Sequence, residues 1–107
     1  MTSATKTVKP TLTAKKFQFF SVFDCSTGHM SKQDDDKLKD KECTISLYDY
    51  EFGCFVHVGD EVVEDAIQAG FSAAFINLLQ IAKKAGCRFI CLDGDGMKYS
   101  NLPMFEW

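Results

Sequence analysis

Phe71–Gly96, FSAAFINLLQIAKKAGCRFICLDGDG, is the stretch whose reading decides the fold. Ser72 offers a helix cap, because its hydroxyl can accept a backbone N–H that the first turn leaves free. Phe75, Leu78, Leu79, Ala82 and Ala85 then recur at helical spacing, with Ile76 and Ile81 widening the apolar face. Asn77, Gln80, Lys83 and Lys84 take the wet side, and the lysines fall where the helix dipole favours cations. Gly86 stands at the stop position. Arg88–Leu92 follows, short, apolar and bounded by turn signals, which predicts a central strand. Asp93-Gly94-Asp95-Gly96 then turns the chain sharply.

Working back from that unit, Asp60 is a natural cap for a helix of about two turns. This helix is expected to bury Val62, Val63, Ala66 and Ile67, with Gly70 ending it. Before it, Cys43–Tyr48 and Cys54–Val58 both alternate with period two around an Asp49–Gly53 loop, a hairpin signature. One hairpin face is core, and the other displays Tyr48, Phe55 and His57. Ser31 caps a short surface helix with Asp34, Asp35 and Asp36 early and Lys37, Lys39 and Lys41 late. Phe17–Phe23 (FQFFSVF) is aromatic and β-branched on both faces, so it is expected to be a central first strand next to Arg88–Leu92. Met97–Trp107 is expected either as a short edge strand or as a segment packed over the sheet.

The fold class is therefore α+β: a single small mixed sheet of four to five strands, ordered β-α-β-β-α-α-β-β, with helices packed on one face. At 107 residues there is room for one domain. Residues 17–107 form it, and residues 1–16, rich in Thr, Ser and Lys, are expected to be a flexible basic tail.

A hydrophobic content of 46% suffices for a core. The net charge of -3 is uneven: residues 1–16 hold four lysines and no acid, leaving 8 basic against 15 acidic residues and a body of -7. An acidic body argues against direct nucleic-acid binding, which needs cations to replace phosphate counterions. No apolar run reaches membrane-spanning length. Five cysteines, an odd count with no secretory segment before them, lead to the expectation of a reduced, cytoplasmic setting.

Several patches, taken in order, resemble a small domain-of-unknown-function family of phages, plasmids and other mobile elements, whose members often lie near antirestriction genes. They are Ser26-Thr27-Gly28-His29, Tyr50-Glu51-Phe52-Gly53-Cys54-Phe55-Val56 and Gly70-Phe71-Ser72-Ala73-Ala74-Phe75, then Gly86-Cys87, Leu92-Asp93-Gly94-Asp95-Gly96 and Leu102-Pro103-Met104-Phe105-Glu106-Trp107. The resemblance spans Phe19–Trp107. It implies a mobile-element setting and a counter-defence role, and it carries over no catalytic residue.

The chemistry-bearing positions each have a plain alternative. Phe89-Ile90-Cys91-Leu92 leading into Asp93-Gly94-Asp95-Gly96 is similar to the first motif of haloacid-dehalogenase-type phosphatases, where the first Asp is nucleophile, the second an acid/base, and Mg²⁺ binds the pair. Only 11 residues follow Gly96, so the remaining lysine and acids of such a site are not expected after it. An EF-hand fails on Met97 at the third ligand position and Met104 at the twelfth. The plain reading is an Asx-type turn. Cys25 and His29 with Cys87 and Cys91 could supply zinc ligand types, but the last two are four residues apart on a strand, roughly 13 Å at about 3.3 Å per residue. His29 reads more simply as a hydrogen-bonded structural side chain.

The leading expectation is a small acidic interaction protein that binds and inhibits or modulates a host protein with a basic surface. Its contact residues are expected to be Asp34, Asp35, Asp36, Tyr50, Glu51, Phe52, Asp93 and Asp95. The alternative is a divalent-metal-dependent hydrolase or phosphate-handling enzyme built on Asp93 and Asp95. No cofactor is called for, and homodimerisation through a sheet edge or the C-terminal aromatics stays open.

Overall fold

A computed structural model describes residues 17–107; the expected tail at residues 1–16 lies outside the described residues. In chain order the elements are β1 (Ser21–Ser26), a 3-10 turn (Thr27–His29), α1 (Lys32–Leu38), β2 (Leu47–Tyr50), β3 (Gly53–His57), α2 (Val62–Ala69), α3 (Ala73–Lys84) and β4 (Cys87–Asp93). The four strands make one mixed sheet in the order β1-β4-β3-β2. β1 runs parallel to β4, and both other pairings are antiparallel.

The stretch from Phe71 onward folds as its residues dictate. The Ser72 hydroxyl accepts the Phe75 N–H at 3.2 Å, starting α3. Phe75, Leu78, Leu79 and Ala82 are buried against Ile90 and Leu92 of β4 and Val56 of β3. Each buried side chain of this size contributes roughly 1.5–3 kcal/mol over its exposed state, so this layer is the main cohesive contact. Gly70 has φ +82° and ends α2 with two bonds, its own N–H to Ile67 O and the Phe71 N–H to Ala66 O. That paired pattern needs a left-handed residue, which glycine adopts without steric cost.

Local rules do less well elsewhere. β1 begins at Ser21, four residues later than expected, and lies at an edge of the sheet. The reason is its partner: Ser21 pairs with Cys87, the first residue of β4, so Phe17–Phe20 extend past the end of the neighbouring strand. Phe17, Phe19 and Phe20 are accordingly exposed. α2 starts without the Asp60 cap; Glu61 occupies the N-cap and makes no side-chain bond, while Lys83 donates to the Asp60 carbonyl. Ile67, expected in the core, is exposed.

The hairpin turn is tighter than expected. Tyr50 pairs with Gly53, leaving only Glu51 and Phe52 in the loop. Gly53 is dictated by the neighbouring strand: a Cβ there would lie 1.9 Å from the Leu92 carbonyl oxygen. A side chain cannot be fitted without moving β3 off β4.

Met97–Trp107 forms no fifth strand. It packs over the loop after β1, with His29 as its anchor. This histidine is fully buried, its Nδ1 lies 2.7 Å from Pro103 O, and its Nε2 accepts the Tyr99 N–H at 2.8 Å. A carbonyl can only accept, so the proton sits on Nδ1. Phe105 N–H to Gly28 O and Trp107 Nε1–H to Met30 O complete the strap.

Opposite the helices the sheet face is open. Phe89 sits at its centre, with Phe20, Tyr48, Phe55 and His57 rings at centroid distances of 5.7, 6.1, 6.2 and 5.4 Å.

Candidate functional site

The alternation in β2 sends Tyr48 and Tyr50 to the open face and Leu47 and Asp49 toward the helices. The end of the hairpin therefore overhangs α1, and a groove of about 400 Å³ lies between them. Asp35, Leu38 and Lys39 of α1 form one wall. Asp49, Tyr50, Glu51 and Phe52 form the other, with the buried Cys54 and Leu92 beneath, and Trp107 also lines it.

Its charges are unequal. Lys39 Nζ donates to Asp35 Oδ2 at 2.9 Å, with the lysine side chain 64% exposed and the aspartate side chain 16%. That hydrogen bond and the Asp35 charge raise the Lys39 pKa, and Asp49 adds to the effect. Among the described residues, Asp49 and Glu51 are in no ion pair. The Cys54 thiol is pushed up to about 12, first by burial and then by the charges of Asp49 and Asp35. An acidic groove with Phe52 and Trp107 in its lining suits recognition of cations, since carboxylates and ring faces both attract them.

Of the eight expected contact residues, the groove gathers Asp35, Tyr50, Glu51 and Phe52. Asp93 does not line it; on the open face the Tyr50 hydroxyl donates to Asp93 Oδ2 and lies 3.3 Å from Cys91 Sγ. Asp93 Oδ1 accepts the Asp95 N–H at 2.7 Å, the Asx-type turn of the plain reading. The Tyr50 bond, then the Asp95 bond, hold the Asp93 carboxyl below its ordinary pKa, and the Asp93 bond above all raises that of Tyr50. Asp95 contributes its backbone and does not line the groove. Asp36 pairs with Lys32 at 3.3 Å, also outside the groove.

Asp34 is the clear correction. It is 1% exposed and cannot meet a partner. Its carboxylate accepts from the N–H and hydroxyl of Ser31 and from the N–H and hydroxyl of Ser72. The run Asp34-Asp35-Asp36 thus divides into a buried structural acid, a groove acid and a solvated one.

Sequence reasoning missed Asp49, Lys39 and Trp107 as lining residues. Period-two alternation extended one step beyond Tyr48 would have placed Asp49 on the side of Leu47. Nothing local marks Trp107, whose segment is held in place by long-range bonds to His29, Gly28 and Met30.

The zinc constellation does not assemble. Cys25 is fully buried on the helix side of β1, and both ring nitrogens of His29 are taken by backbone groups. Burial, with the Asp24 charge adding to it, pushes the Cys25 thiol up to about 12. Among the described residues, no three His, Cys, Asp or Glu side chains are grouped to hold a metal ion.

Residues 22–107 match the C-terminal domain of DUF5983, a family of unknown function. The chain belongs to that family. The match covers every strand and helix of the DUF5983 fold except the first residue of β1. Neither a curated protein nor a solved structure matches the chain. Among the described residues of this DUF5983 domain, no helix is long and apolar enough to cross a membrane.

Proposed function

We propose that this DUF5983 domain is a small acidic interaction protein that binds and inhibits or modulates a host protein with a basic surface, in the counter-defence setting of a mobile element. The observation that carries the reading is the groove between α1 and the hairpin, where Asp49 and Glu51 stand beside Tyr50, Phe52 and Trp107. Unpaired rim carboxylates steer a basic partner, and aromatic side chains anchor it once docked. The mobile-element setting rests on the motif resemblance and on no contact in the fold.

The test is affinity capture from the native host with the wild-type chain and with Asp49→Asn/Glu51→Gln/Phe52→Ala. The expected result is a basic protein retained at low salt, lost from the variant and released as salt rises. Retention indifferent to both changes would sink the reading.

The hydrolase alternative puts Mg²⁺, Mn²⁺ or Ca²⁺ on Asp93 and Asp95. Both Asp93 oxygens already accept protein donors. Calorimetric titration with the three ions is expected to be flat, and binding abolished by Asp93→Asn would revive the enzyme. Self-association is favoured by one observation, the apolar patch of Phe20, Val22, Tyr48, Phe55 and Phe89 on the open sheet face. Light scattering that gives a monomer removes it.

A further inference from the structure

We propose that the groove receives an arginine side chain of the partner, and that Lys39 is the resident cation which the arginine displaces. The inference rests on the interaction reading above and names its ligand chemistry.

The space is of ligand-pocket size: about 400 Å³ exceeds what one side chain needs and leaves room for the flanking backbone. Its lining combines two kinds of cation-seeking surface. Phe52 and Trp107 are its aromatic lining, and Asp35, Asp49 and Glu51 supply carboxylates, against the single ammonium of Lys39; the Tyr50 ring lies on the open face of the sheet, its hydroxyl bonded to Asp93. The groove already holds that ammonium against Asp35, under the influence of Asp49. It is weakly held, because the lysine side chain is 64% exposed, and exposed pairs of this kind gain little. Asp35, by contrast, is set into the wall at 16% exposure, so its acceptor stays in place when the lysine swings out.

Arginine fits this lining better than a second lysine. Its planar guanidinium can stack on rings and present paired donors to a carboxylate at the same time. A lysine would only repeat the point contact that Lys39 makes.

Trp107 is the chain's single tryptophan and lines the groove, so its fluorescence reports occupancy directly. The probes are three peptides, acetyl-Gly-Xaa-Gly-amide with Xaa arginine, lysine or citrulline, the last a neutral isostere. The arginine peptide is expected to give a saturable change, the lysine peptide a weaker one and the citrulline peptide none. Asp49→Asn/Glu51→Gln is expected to weaken arginine binding about tenfold, as for loss of a charge-assisted contact. Lys39→Gln is expected to tighten it about twofold, the size of an exposed ion pair removed. A merely structural Lys39 would not tighten binding. Equal response to citrulline, no response to arginine, or weaker binding in Lys39→Gln overturns the inference. If host-protein capture is lost in Asp49→Asn/Glu51→Gln yet the arginine peptide leaves Trp107 unmoved, the arginine inference falls and the interaction reading stands. If capture ignores the groove variants, the interaction reading itself falls.

Discussion

Asp34 and Ser72 lie 38 residues apart in sequence, yet the Asp34 carboxylate accepts both the backbone N–H and the hydroxyl of Ser72, at 2.8 and 2.6 Å. Ser72 is the N-cap of α3, and Asp34 also completes the capping box of α1 with Ser31. One buried carboxylate therefore serves two helix N-termini, where backbone donors and both dipoles favour negative charge. Asp34→Ala leaves four donors without their acceptor and loosens α1 from α3. Losing a buried acceptor of charged hydrogen bonds costs about 2–4 kcal/mol, readable as a lower urea midpoint. Asp36→Ala, at a solvated helix position, should stay within about 0.5 kcal/mol, and Asp35→Ala, which removes the pair with the exposed Lys39, within about 1 kcal/mol. Equal destabilisation by all three would contradict the division of roles within the run.

The same triplet shows where sequence reading stops. Three consecutive aspartates after a serine are enough to expect a capped helix, because capping and dipole rules are local. Which aspartate is buried depends on where Ser72 arrives, and that is set by the packing of α3 on β4. In the same way, α3 and β4 were readable from spacing and caps, whereas β1 was misplaced because its length is limited by the first residue of β4. Half of the expected contact residues do meet at the groove, through the hairpin loop, whose aromatic content was visible. Asp49 and Trp107 escaped because strand extent and a long-range anchor put them there.

Gly53 tests how tightly the hairpin is held. Its missing side chain allows β3 to run against Leu92 and Asp93 of β4. Gly53→Ala forces a Cβ into the Leu92 carbonyl, a backbone atom that cannot rotate aside. The variant should lose more than about 3 kcal/mol, in the range of severe overpacking. Gly94→Ala is the control, with nothing within 4 Å of its added Cβ. Comparable melting of Gly53→Ala and Gly94→Ala would refute the strand approach.

Two thiols set an alkaline limit on stability. Burial first, then neighbouring carboxylates, push Cys25 and Cys54 from 9.0 up to about 12. Because the folded values are raised, the neutral thiols stabilise the fold fully below pH 9, and that contribution is lost as pH climbs toward 12. Thermal melts should fall across this window, and Cys25→Ser/Cys54→Ser should flatten the fall. At neutral pH iodoacetamide should label Cys43, Cys87 and Cys91, which are half-buried, before either raised thiol. Early labelling of Cys54 would mean that the groove base is open to solvent.

His29 links the C-terminal strap to the candidate site. Its two ring nitrogens hold Pro103 O and the Tyr99 N–H, and its ring lies 5.8 Å from that of Tyr99. His29→Phe keeps an aromatic ring there and removes both polar contacts, leaving two backbone groups unpaired at about 1–3 kcal/mol each. The strap should then open locally, seen as faster hydrogen exchange of the Tyr99 amide while Ile90 and Leu92 in β4 stay protected. Trp107 lines the groove and is tied to Met30 O by its indole N–H at 3.1 Å. Opening the strap should therefore red-shift Trp107 emission and, on the proposed function, weaken capture of a basic protein, although His29 does not line the groove. A Tyr99 amide as slow as wild type in His29→Phe would show that the strap is held by Phe105 and Trp107 alone, and the coupling from His29 to the groove would be absent.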